Sequence, residues 1–388
     1  MRVVPRCTAE LPEVRRQTAA RRPCLDPGHR YARSQLPPSR NVHGDFHGPG
    51  KTGAESAMHD IAYDARWHGA FGIGRYSHEL RSRLTGNVYD IVAPGDPVGA
   101  RGLFEWERTT RRAHRQKRIL LSPSFTPSRH WPGPQAITVH DLIHLDVFSE
   151  SSRPKKLYYE RHVKPAIRRN DVTFTVSEFS KNRLVEWTGV ESDRIVVTGN
   201  AADTRFSPEG PRHEPNYPYI FSVRSSKPHK NTPRLISAFA ELPRDDVHLV
   251  LSGHPDADSL AAASRGGVSD RVVFEGLIPD AVLPNYYRGA SVVAFTSLYE
   301  GFGIPAIEAM ACGTPLVASS TTSLPEVTGG AALLVDPSDV MEIARALSRA
   351  LTDDRLRKGL REAALGRAAQ FSWEDIASTV MQTLSQIR

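Results

Sequence analysis

Short apolar runs alternate with amphipathic stretches along the chain from residue 58 onward. The runs have the length of buried strands, and the stretches between them have the spacing of helices that cover a sheet. The clearest runs are, in order, DIAYDA, AITVH, VTFTVS, YIFSVRS, VHLVLSG, RVVFEG, SVVAFTS, TPLVASS and AALLVD. This alternation predicts an α/β architecture with parallel sheets covered on both faces. After Asp339 the pattern predicts helix almost to the end of the chain.

The pattern also divides the chain into two doubly wound, Rossmann-like domains. The segment GNAADTRFSPEGPRHEPNYPY interrupts the alternation with several prolines, and we place the domain boundary there. The first domain is predicted over residues 58–208 and the second over 218–370. A C-terminal helix over 371–388 is a candidate to pack back on the first domain. Because ligands bind at the carboxyl edges of such sheets, we expect the site in the cleft between the domains.

Residues 1–57 lack this pattern. They are rich in Arg, Pro, Gly and His and follow neither a period of 2 nor one of 3.6, so we predict a disordered or loosely attached basic extension. They carry ten Lys/Arg and five Asp/Glu, which accounts for +5 of the formal net charge of +7. The rest of the chain holds only +2, which is too little for a protein that binds nucleic-acid phosphates.

Cysteine content and hydropathy indicate a cytoplasmic protein. Cys7, Cys24 and Cys312 form no Cys-x-x-Cys pair and leave an odd count, as is typical of a reducing compartment. No apolar run approaches the ~20 residues that span a bilayer, and the N-terminus lacks the apolar core of a signal peptide. We expect a cytoplasmic chain, with peripheral attachment at the inner face of the membrane left open.

The segment SVVAFTSLYEGFGIPAIEAMACG combines a predicted strand, a loop and a helix with two carboxylates. Pro305 suits the first turn of a helix, which places Glu300 in the loop and Glu308 about one turn into the helix. Gly301 and Gly303 let the backbone approach a ligand, and the helix N-terminus favours an anion. Two glutamates also suit a glycosidase, but carboxylates on a loop and a helix start more easily reach two ends of an extended ligand, such as a nucleotide-sugar.

This segment resembles the Glu-x7-Glu motif of the retaining glycosyltransferases of family 4, which have the GT-B fold. The resemblance extends from about Asp60 to Trp373, through DARWHGAFGIGRY, ITVHDLIHL, VTFTVSEFSK, KPHKN, YEGFGIPAIEAMACGTPLVAS, LPEV and FSWED. It implies that Glu300 contacts the donor sugar and that Glu308 holds the ribose. The loop amides that the family uses for sugar and phosphate correspond to Gly301, Phe302, Gly303 and Ile304.

The resemblance also implies a cation and a histidine. Departure of a nucleoside diphosphate leaves negative charge that a metal or fixed Lys/Arg must stabilise. Within VRSSKPHKN, the family's basic residue falls on Lys230, and a second position stays open between Arg224 and Ser225. Relatives place a histidine beside the reacting sugar, which corresponds to His140 in VHDL. We therefore predict His140, Lys230 and Glu300 as catalytic residues and no metal site.

Three further positions have less defined roles. GAFGIG follows the first predicted strand, so we expect Gly72 and Gly74 to line the acceptor or phosphate side of the cleft. Its glycine spacing differs from the G-x-G-x-x-G of a hydride-transfer enzyme. Glu326, in LPEV, lies in the next strand-to-helix loop of the second domain and is expected either to contact the donor or to cap its helix.

Together these features predict a retaining, metal-independent transferase that moves a mannose- or glucose-type hexose from a nucleotide-diphosphate sugar to a glycan or lipid-linked acceptor. We expect no cofactor, and GDP-mannose or UDP-glucose as the donor. Two alternatives stay open: a sugar-nucleotide epimerase of the same architecture, and a non-catalytic protein that binds sugar or nucleic acid. The basic stretch between residues 108 and 118 also predicts weak contact with anionic lipid headgroups.

Overall fold

Two six-stranded parallel sheets follow each other along the chain. The computed structural model describes residues 60–67, 69, 72–113 and 118–387, so the predicted basic extension over residues 1–57 lies outside the described residues. The α/β architecture with parallel sheets is confirmed.

The first sheet has the strand order β2-β1-β3-β4-β5-β6. Its strands are Ile61–Asp64 (β1), Val88–Ile91 (β2), Ile119–Ser122 (β3), Gln135–Thr138 (β4), Val172–Thr175 (β5) and Ile195–Val197 (β6). The helices between them are Ile73–Arg83 (α1), Ala100–Ala113 (α2), Ile143–Asp146 (α3), Arg153–Tyr158 (α4), Lys164–Arg169 (α5) and Glu178–Thr188 (α6). A π-helical turn over Tyr159–Val163 joins α4 to α5, and short 3-10 turns lie at Phe148–Glu150 and Ser192–Arg194.

The second sheet has the order β12-β11-β10-β7-β8-β9, and the proline-rich segment connects it to the first. Its strands are Tyr219–Ser222 (β7), His248–Leu251 (β8), Val272–Phe274 (β9), Val292–Phe295 (β10), Leu316–Ser319 (β11) and Leu333–Val335 (β12). A 3-10 turn at Pro228–Lys230 precedes the helices Thr232–Ala240 (α7), Ala257–Arg265 (α8), Leu283–Gly289 (α9), Ile304–Ala311 (α10), Leu324–Thr328 (α11), Val340–Thr352 (α12), Asp354–Ala368 (α13) and Trp373–Ser385 (α14).

The central strands are buried along their whole length because helices cover both faces of each sheet. β1, β4, β5, β7, β10 and β11 contain no exposed residue. The sequence analysis did not identify β2, β3 and β6. β2 is an edge strand whose Tyr89 and Asp90 are exposed, and β6 is an edge strand of three residues, so both lack a strong apolar signal.

Helix α14 packs against α1, the first helix of the other domain. The rings of Trp373 and Tyr76 meet with centroids 5.7 Å apart, and Arg83 Nε donates to Glu374 Oε1 at 2.8 Å. The largest cluster of buried apolar side chains includes both rings and runs through both domains. The chain end therefore fastens the two domains together. Among the described helices, none has the length and hydropathy needed to cross a bilayer.

Candidate functional site

A cavity of about 580 Å³ lies between the two sheets, at the carboxyl edges of both. The residues that line it follow β1, β3, β4, β5 and β6 in the first domain and β7, β8, β9 and β10 in the second. This is where ligands bind in open α/β sheets, and the volume suits a drug-sized or nucleotide-sized molecule. Most of the predicted site residues line it, namely Gly72, His140, Arg224, Ser225, Lys230, Glu300, Gly301, Phe302, Gly303, Ile304 and Glu308.

The loop between β10 and α10 presents unpaired backbone donors in this cavity. Helix α10 begins at Ile304, and no side chain caps it. The N–H groups of residues 301–304 donate to no protein group in the described part of the chain. Gly303 precedes the helix with φ 101°, a left-handed conformation that strains any residue with a Cβ atom. Free N–H groups at a helix N-terminus form an anion-binding site.

Gly301 is the point of closest approach between this loop and the first domain. Its carbonyl oxygen accepts hydrogen bonds from the Oγ atoms of Ser177 at 2.6 Å and Ser180 at 3.2 Å. A Cβ atom at residue 301 would lie 2.8 Å from Asp141 Cβ and closer still to the carbonyl oxygen of His140. Glycine is therefore required here for contact between the domains.

Lys230 and Glu300 form an ion pair in the second domain. Lys230 ends the turn after β7, and its Nζ lies 2.6 Å from Glu300 Oε1. The sequence analysis assigned the two residues to different parts of a ligand, the phosphate and the sugar, whereas in the structure they contact each other. A lysine ammonium has three donors, so this contact leaves Lys230 with capacity for an anionic ligand.

Glu308 lies in a buried network that the sequence analysis did not identify. Its Oε1 lies 2.5 Å from Arg75 Nη1, and its Oε2 accepts a 2.8 Å hydrogen bond from the Tyr287 hydroxyl. Arg75 Nη2 also contacts Asp280 Oδ2 at 3.0 Å. Burial raises the pKa of Glu308, and the charge of Arg75 opposes that shift. Burial acts to lower the pKa of Arg75, but Glu308 and Asp280 together bring it above its ordinary value.

His140 lines the cavity with one ring nitrogen engaged. Its Nε2 lies 2.9 Å from the carbonyl oxygen of Pro123. Because a carbonyl oxygen only accepts, Nε2 carries the proton, and in the neutral ring Nδ1 is an acceptor. Burial lowers the pKa of His140, which favours the neutral form. Tyr76 meets the ring edge-on, with centroids 4.8 Å apart, and fixes its plane. Such a ring can accept a hydrogen bond from a sugar hydroxyl.

Arg224 lines the cavity, but its guanidinium is held by neighbours in the second domain. Nη1 donates to the carbonyl oxygen of His254 at 2.9 Å, and Nη2 forms an ion pair with Asp256. Asp256 and Asp258 have the Asp-x-Asp spacing of some metal sites, but Asp256 caps α8 by accepting from the backbone N–H of Ser259. Across the residues that the structure describes, no group of three or more His, Cys, Asp or Glu side chains could hold a metal ion.

Two predicted site residues lie away from the cavity. Gly74 is buried inside α1, because the helix begins one residue earlier, and only Gly72 of the pair lines the cavity. Glu326 accepts hydrogen bonds from the backbone N–H groups of Glu178 at 2.8 Å and Phe179 at 3.2 Å. It therefore caps a helix, as one of the two expectations had it, but the helix is α6 of the first domain rather than its own.

Further contacts between side chains join the two domains around the cavity. The Tyr299 hydroxyl donates to Asp146 Oδ2 at 2.8 Å, and His229 Nδ1 lies 2.8 Å from Glu150 Oε1. No local sequence pattern indicates these pairs, since the partners are far apart along the chain. For Arg75 a signal was available, because this residue directly follows the GAFGIG turn, which was expected to face the cleft. These contacts hold the two domains together beside the cavity.

Two family models match consecutive parts of the chain. A family model described as "Glycosyltransferase Family 4" matches residues 75–206, and one described as "Glycosyl transferases group 1" matches residues 203–367. The solved structure of HepE from Anabaena in complex with UDP-glucose aligns with a TM-score of 0.67 at 19% identity, over 85% of this chain and 100% of that one. That likeness shows the fold, and the GT-B arrangement expected from the sequence is confirmed.

Curated relatives have similar sequences over much of the chain. The O-antigen chain mannosyltransferase B of Escherichia coli is 32% identical over 253 residues, which cover 61% of this chain and 66% of that protein. The serotype-specific mannosyltransferase WbdA of Escherichia coli is 28% identical over 290 residues, which cover 69% of this chain and 35% of that protein. The matches thus span about two thirds of one relative and about a third of the other. On the two family models and these relatives, the chain belongs to glycosyltransferase family 4.

Proposed function

We propose that the protein transfers a hexosyl group, with retention of anomeric configuration, from a nucleotide-diphosphate sugar to a glycan or lipid-linked acceptor. The observation that carries this proposal is the layout of the interdomain cavity. Two carboxylates line it, Glu300 in the loop and Glu308 one turn into α10, and unpaired backbone N–H groups lie between them in sequence. This layout suits an extended ligand with a hydroxyl-bearing group at each end and a diphosphate between.

Each residue then has a role that its surroundings support. Glu308 accepts hydrogen bonds from the ribose, and the N–H groups of residues 301–304 bind the diphosphate at the start of α10. Glu300 and the acceptor nitrogen of His140 hold hydroxyls of the sugar. Lys230 stabilises the negative charge that develops on the departing diphosphate, which is the role a metal plays in other enzymes.

The reaction proceeds on one face of the sugar. The bond between the anomeric carbon and the diphosphate oxygen breaks, and the acceptor oxygen attacks from the same side. The released phosphate oxygen takes the proton of the acceptor hydroxyl, so no protein base is needed and no covalent intermediate forms. Closure of the domains keeps water away from the donor and limits its hydrolysis.

GDP-mannose is the first donor to test and UDP-glucose the second. The two relatives reported above are named as mannosyltransferases, which favours a mannosyl donor. The structural neighbour HepE is described in complex with UDP-glucose, but at 19% identity it supports the fold alone. The nucleobase and the sugar of the donor are therefore to be identified by experiment.

The decisive test is donor turnover by the purified chain. We expect thermal stabilisation by GDP or UDP, release of that nucleotide from the matching sugar donor only when an acceptor alcohol is present, and an anomeric NMR signal in the product with the configuration of the donor. Nucleotide release without any acceptor would favour the epimerase alternative. An inverted product, or no response to any nucleotide or activated sugar, would contradict the proposal.

Weak contact with an anionic membrane is a secondary part of the proposal. Helix α2 carries Arg108, Arg111 and Arg112 together with the exposed ring of Phe104. Basic side chains near an anionic surface contribute about 1 kcal/mol each, and an apolar ring can enter the headgroup region. This supports a peripheral location at the membrane, where a lipid-linked acceptor would be found.

A further inference from the structure

The contact between Arg75 and Glu308 joins the two domains inside the cavity. Arg75 is the third residue of α1, in the first domain, whereas Glu308 lies on α10 and Asp280 lies just before α9, both in the second. The guanidinium places one nitrogen on each carboxylate, at 2.5 and 3.0 Å. All three side chains are mostly buried, with 7% of Arg75, 3% of Glu308 and 16% of Asp280 exposed. A single cation of one domain therefore fixes two acids of the other.

The carboxylate of Glu308 retains acceptor capacity beyond these contacts. Each of its oxygens can accept two hydrogen bonds. Oε1 accepts from Arg75 and Oε2 from the Tyr287 hydroxyl, which leaves one position on each oxygen. Two adjacent acceptor positions match a vicinal diol, because the two hydroxyls of a ribose can each donate to one oxygen. Arg75 and a ribose can thus bind Glu308 together rather than exclude each other.

Arg75 also supplies the positive charge that a buried carboxylate requires. A carboxylate out of contact with water is unfavourable unless it is paired and hydrogen-bonded. If it were protonated, one oxygen would become a donor and the diol would lose an acceptor. Tyr287, fully buried on α9, donates to the other oxygen, but a phenol hydroxyl is neutral and supplies no positive charge.

We propose that Arg75 is a positioning residue for ribose recognition: from the first domain it holds the carboxylate of Glu308, so that the ribose site is complete only when the domains are closed. This inference rests on the proposed function, in which Glu308 binds the ribose. It adds that a residue of the acceptor-side domain belongs to the donor site. Nucleotide binding and domain closure are then coupled through one ion pair.

The test compares ribose recognition in Arg75 variants of the full chain. Titration calorimetry measures the affinities of GDP or UDP, whichever binds more tightly, of its 2′-deoxy analogue and of inorganic pyrophosphate. We expect Arg75→Gln to weaken ribonucleotide binding by about tenfold to a hundredfold, as for loss of a charge-assisted hydrogen bond. Pyrophosphate binding should change by less than about threefold, and the preference for the ribonucleotide over its deoxy analogue should shrink. Arg75→Lys should restore part of that preference.

Arg81→Gln is the matched control. Arg81 lies near the other end of α1 and forms an ion pair with Asp90 of the same domain, away from the cavity. The same substitution there should leave the preference for the ribonucleotide unchanged. Thermal unfolding of all variants shows which of them are folded, and Arg75→Lys keeps the test valid if Arg75→Gln does not fold.

Two results would overturn the inference. One is an Arg75→Gln variant with the wild-type preference for the ribonucleotide. The other is an equal loss of affinity for nucleotide and pyrophosphate, which would place Arg75 on the phosphates. Failure of the proposed function has a different signature: Glu308→Gln would then leave the ribonucleotide preference intact. If Glu308→Gln abolishes that preference while Arg75→Gln does not, the result supports ribose binding by Glu308 and contradicts the positioning role of Arg75.

Discussion

Lys230 Nζ lies 2.6 Å from Glu300 Oε1, so the cation expected at the departing phosphate and the carboxylate expected at the sugar form one pair. Their contact fixes where both charges stand before any donor enters. Such fixed charges stabilise a transition state because they need no reorientation when charge develops. The proposed chemistry thus depends on a geometry that the protein itself maintains.

Replacement of Lys230 should reduce turnover more than donor binding. We expect Lys230→Ala to lower kcat by about a hundredfold to a thousandfold, since it removes a group that acts on developing charge. The KM for the donor should change much less, because the amides of residues 301–304 stay in place. Steady-state kinetics with the best donor measures both, and Lys358→Ala on the exposed face of α13 is the control. A variant with unchanged kcat would contradict the role of Lys230.

A methyl group at residue 301 should prevent the domains from closing. In Gly301→Ala the new Cβ would lie 2.8 Å from Asp141 Cβ and would press on the carbonyl oxygen of His140. We expect turnover to fall on the order of a hundredfold because the reacting groups of the two domains are displaced. Small-angle X-ray scattering should show a larger radius of gyration. Gly359→Ala, at a helical position with no neighbour within 4 Å of the new Cβ, should change neither quantity.

Acid should destabilise the folded structure as the pH falls below about 6.5. Burial lowers the pKa of both His140 and His229, so the folded state keeps these rings neutral where the unfolded chain would protonate them. Their contribution to the free energy of unfolding is therefore complete above about pH 6.5 and is lost as the pH falls toward the lowered values. Each histidine can contribute a slope of at most about 1.4 kcal/mol per pH unit.

The variant His229→Asn isolates one of these groups. His229 Nδ1 lies 2.8 Å from Glu150 Oε1. An asparagine side chain at this position can still donate a hydrogen bond to Glu150, but an amide does not titrate. We expect a shallower fall in the thermal midpoint between pH 7 and 5 than in the wild type. The same substitution at the exposed His78 should leave the slope as it is. Equal slopes for the wild type and His229→Asn would show that His229 does not govern acid stability.

Chelation should leave turnover unchanged. If Lys230 and the backbone N–H groups of residues 301–304 stabilise the departing diphosphate, no divalent ion is needed for that step. Prolonged dialysis against EDTA, followed by kinetics in metal-free buffer, should give the original kcat. Full loss of activity that returns only on addition of Mg²⁺ or Mn²⁺ would contradict a metal-independent reaction.

Membrane contact should depend on salt and on helix α2. We expect the protein to float with anionic liposomes at low salt and to be released at high salt, because each basic side chain contributes only about 1 kcal/mol. Phe104→Ser combined with Arg111→Gln should weaken flotation, while Leu260→Ser, an exposed apolar position in the second domain, should not. No binding at low salt would remove this part of the proposal.

The fold could be predicted from the sequence alone, and most of the predicted site residues do line the cavity. Buried strands of a parallel sheet read as continuous apolar runs, and the loops after them gather at one edge, so Lys230, Glu300 and Glu308 could be expected near one another. Strands β2 and β6 could not be found in this way, because Tyr89 and Asp90 of β2 are exposed and β6 has only three residues, so neither gives a long apolar run.

The pairing of charges and the contacts across the cleft could not be predicted, because they depend on how the two domains meet. Arg75 and Glu308 are 233 positions apart, and Tyr299 and Asp146 are 153 apart, so no local pattern links them. Gly74 and Glu326 were also expected near the cavity. Gly74 instead lies inside α1, and Glu326 caps a helix of the opposite domain. Periodicity and turn chemistry determine local conformation, whereas side-chain partners across the cleft depend on how the two sheets are placed against each other.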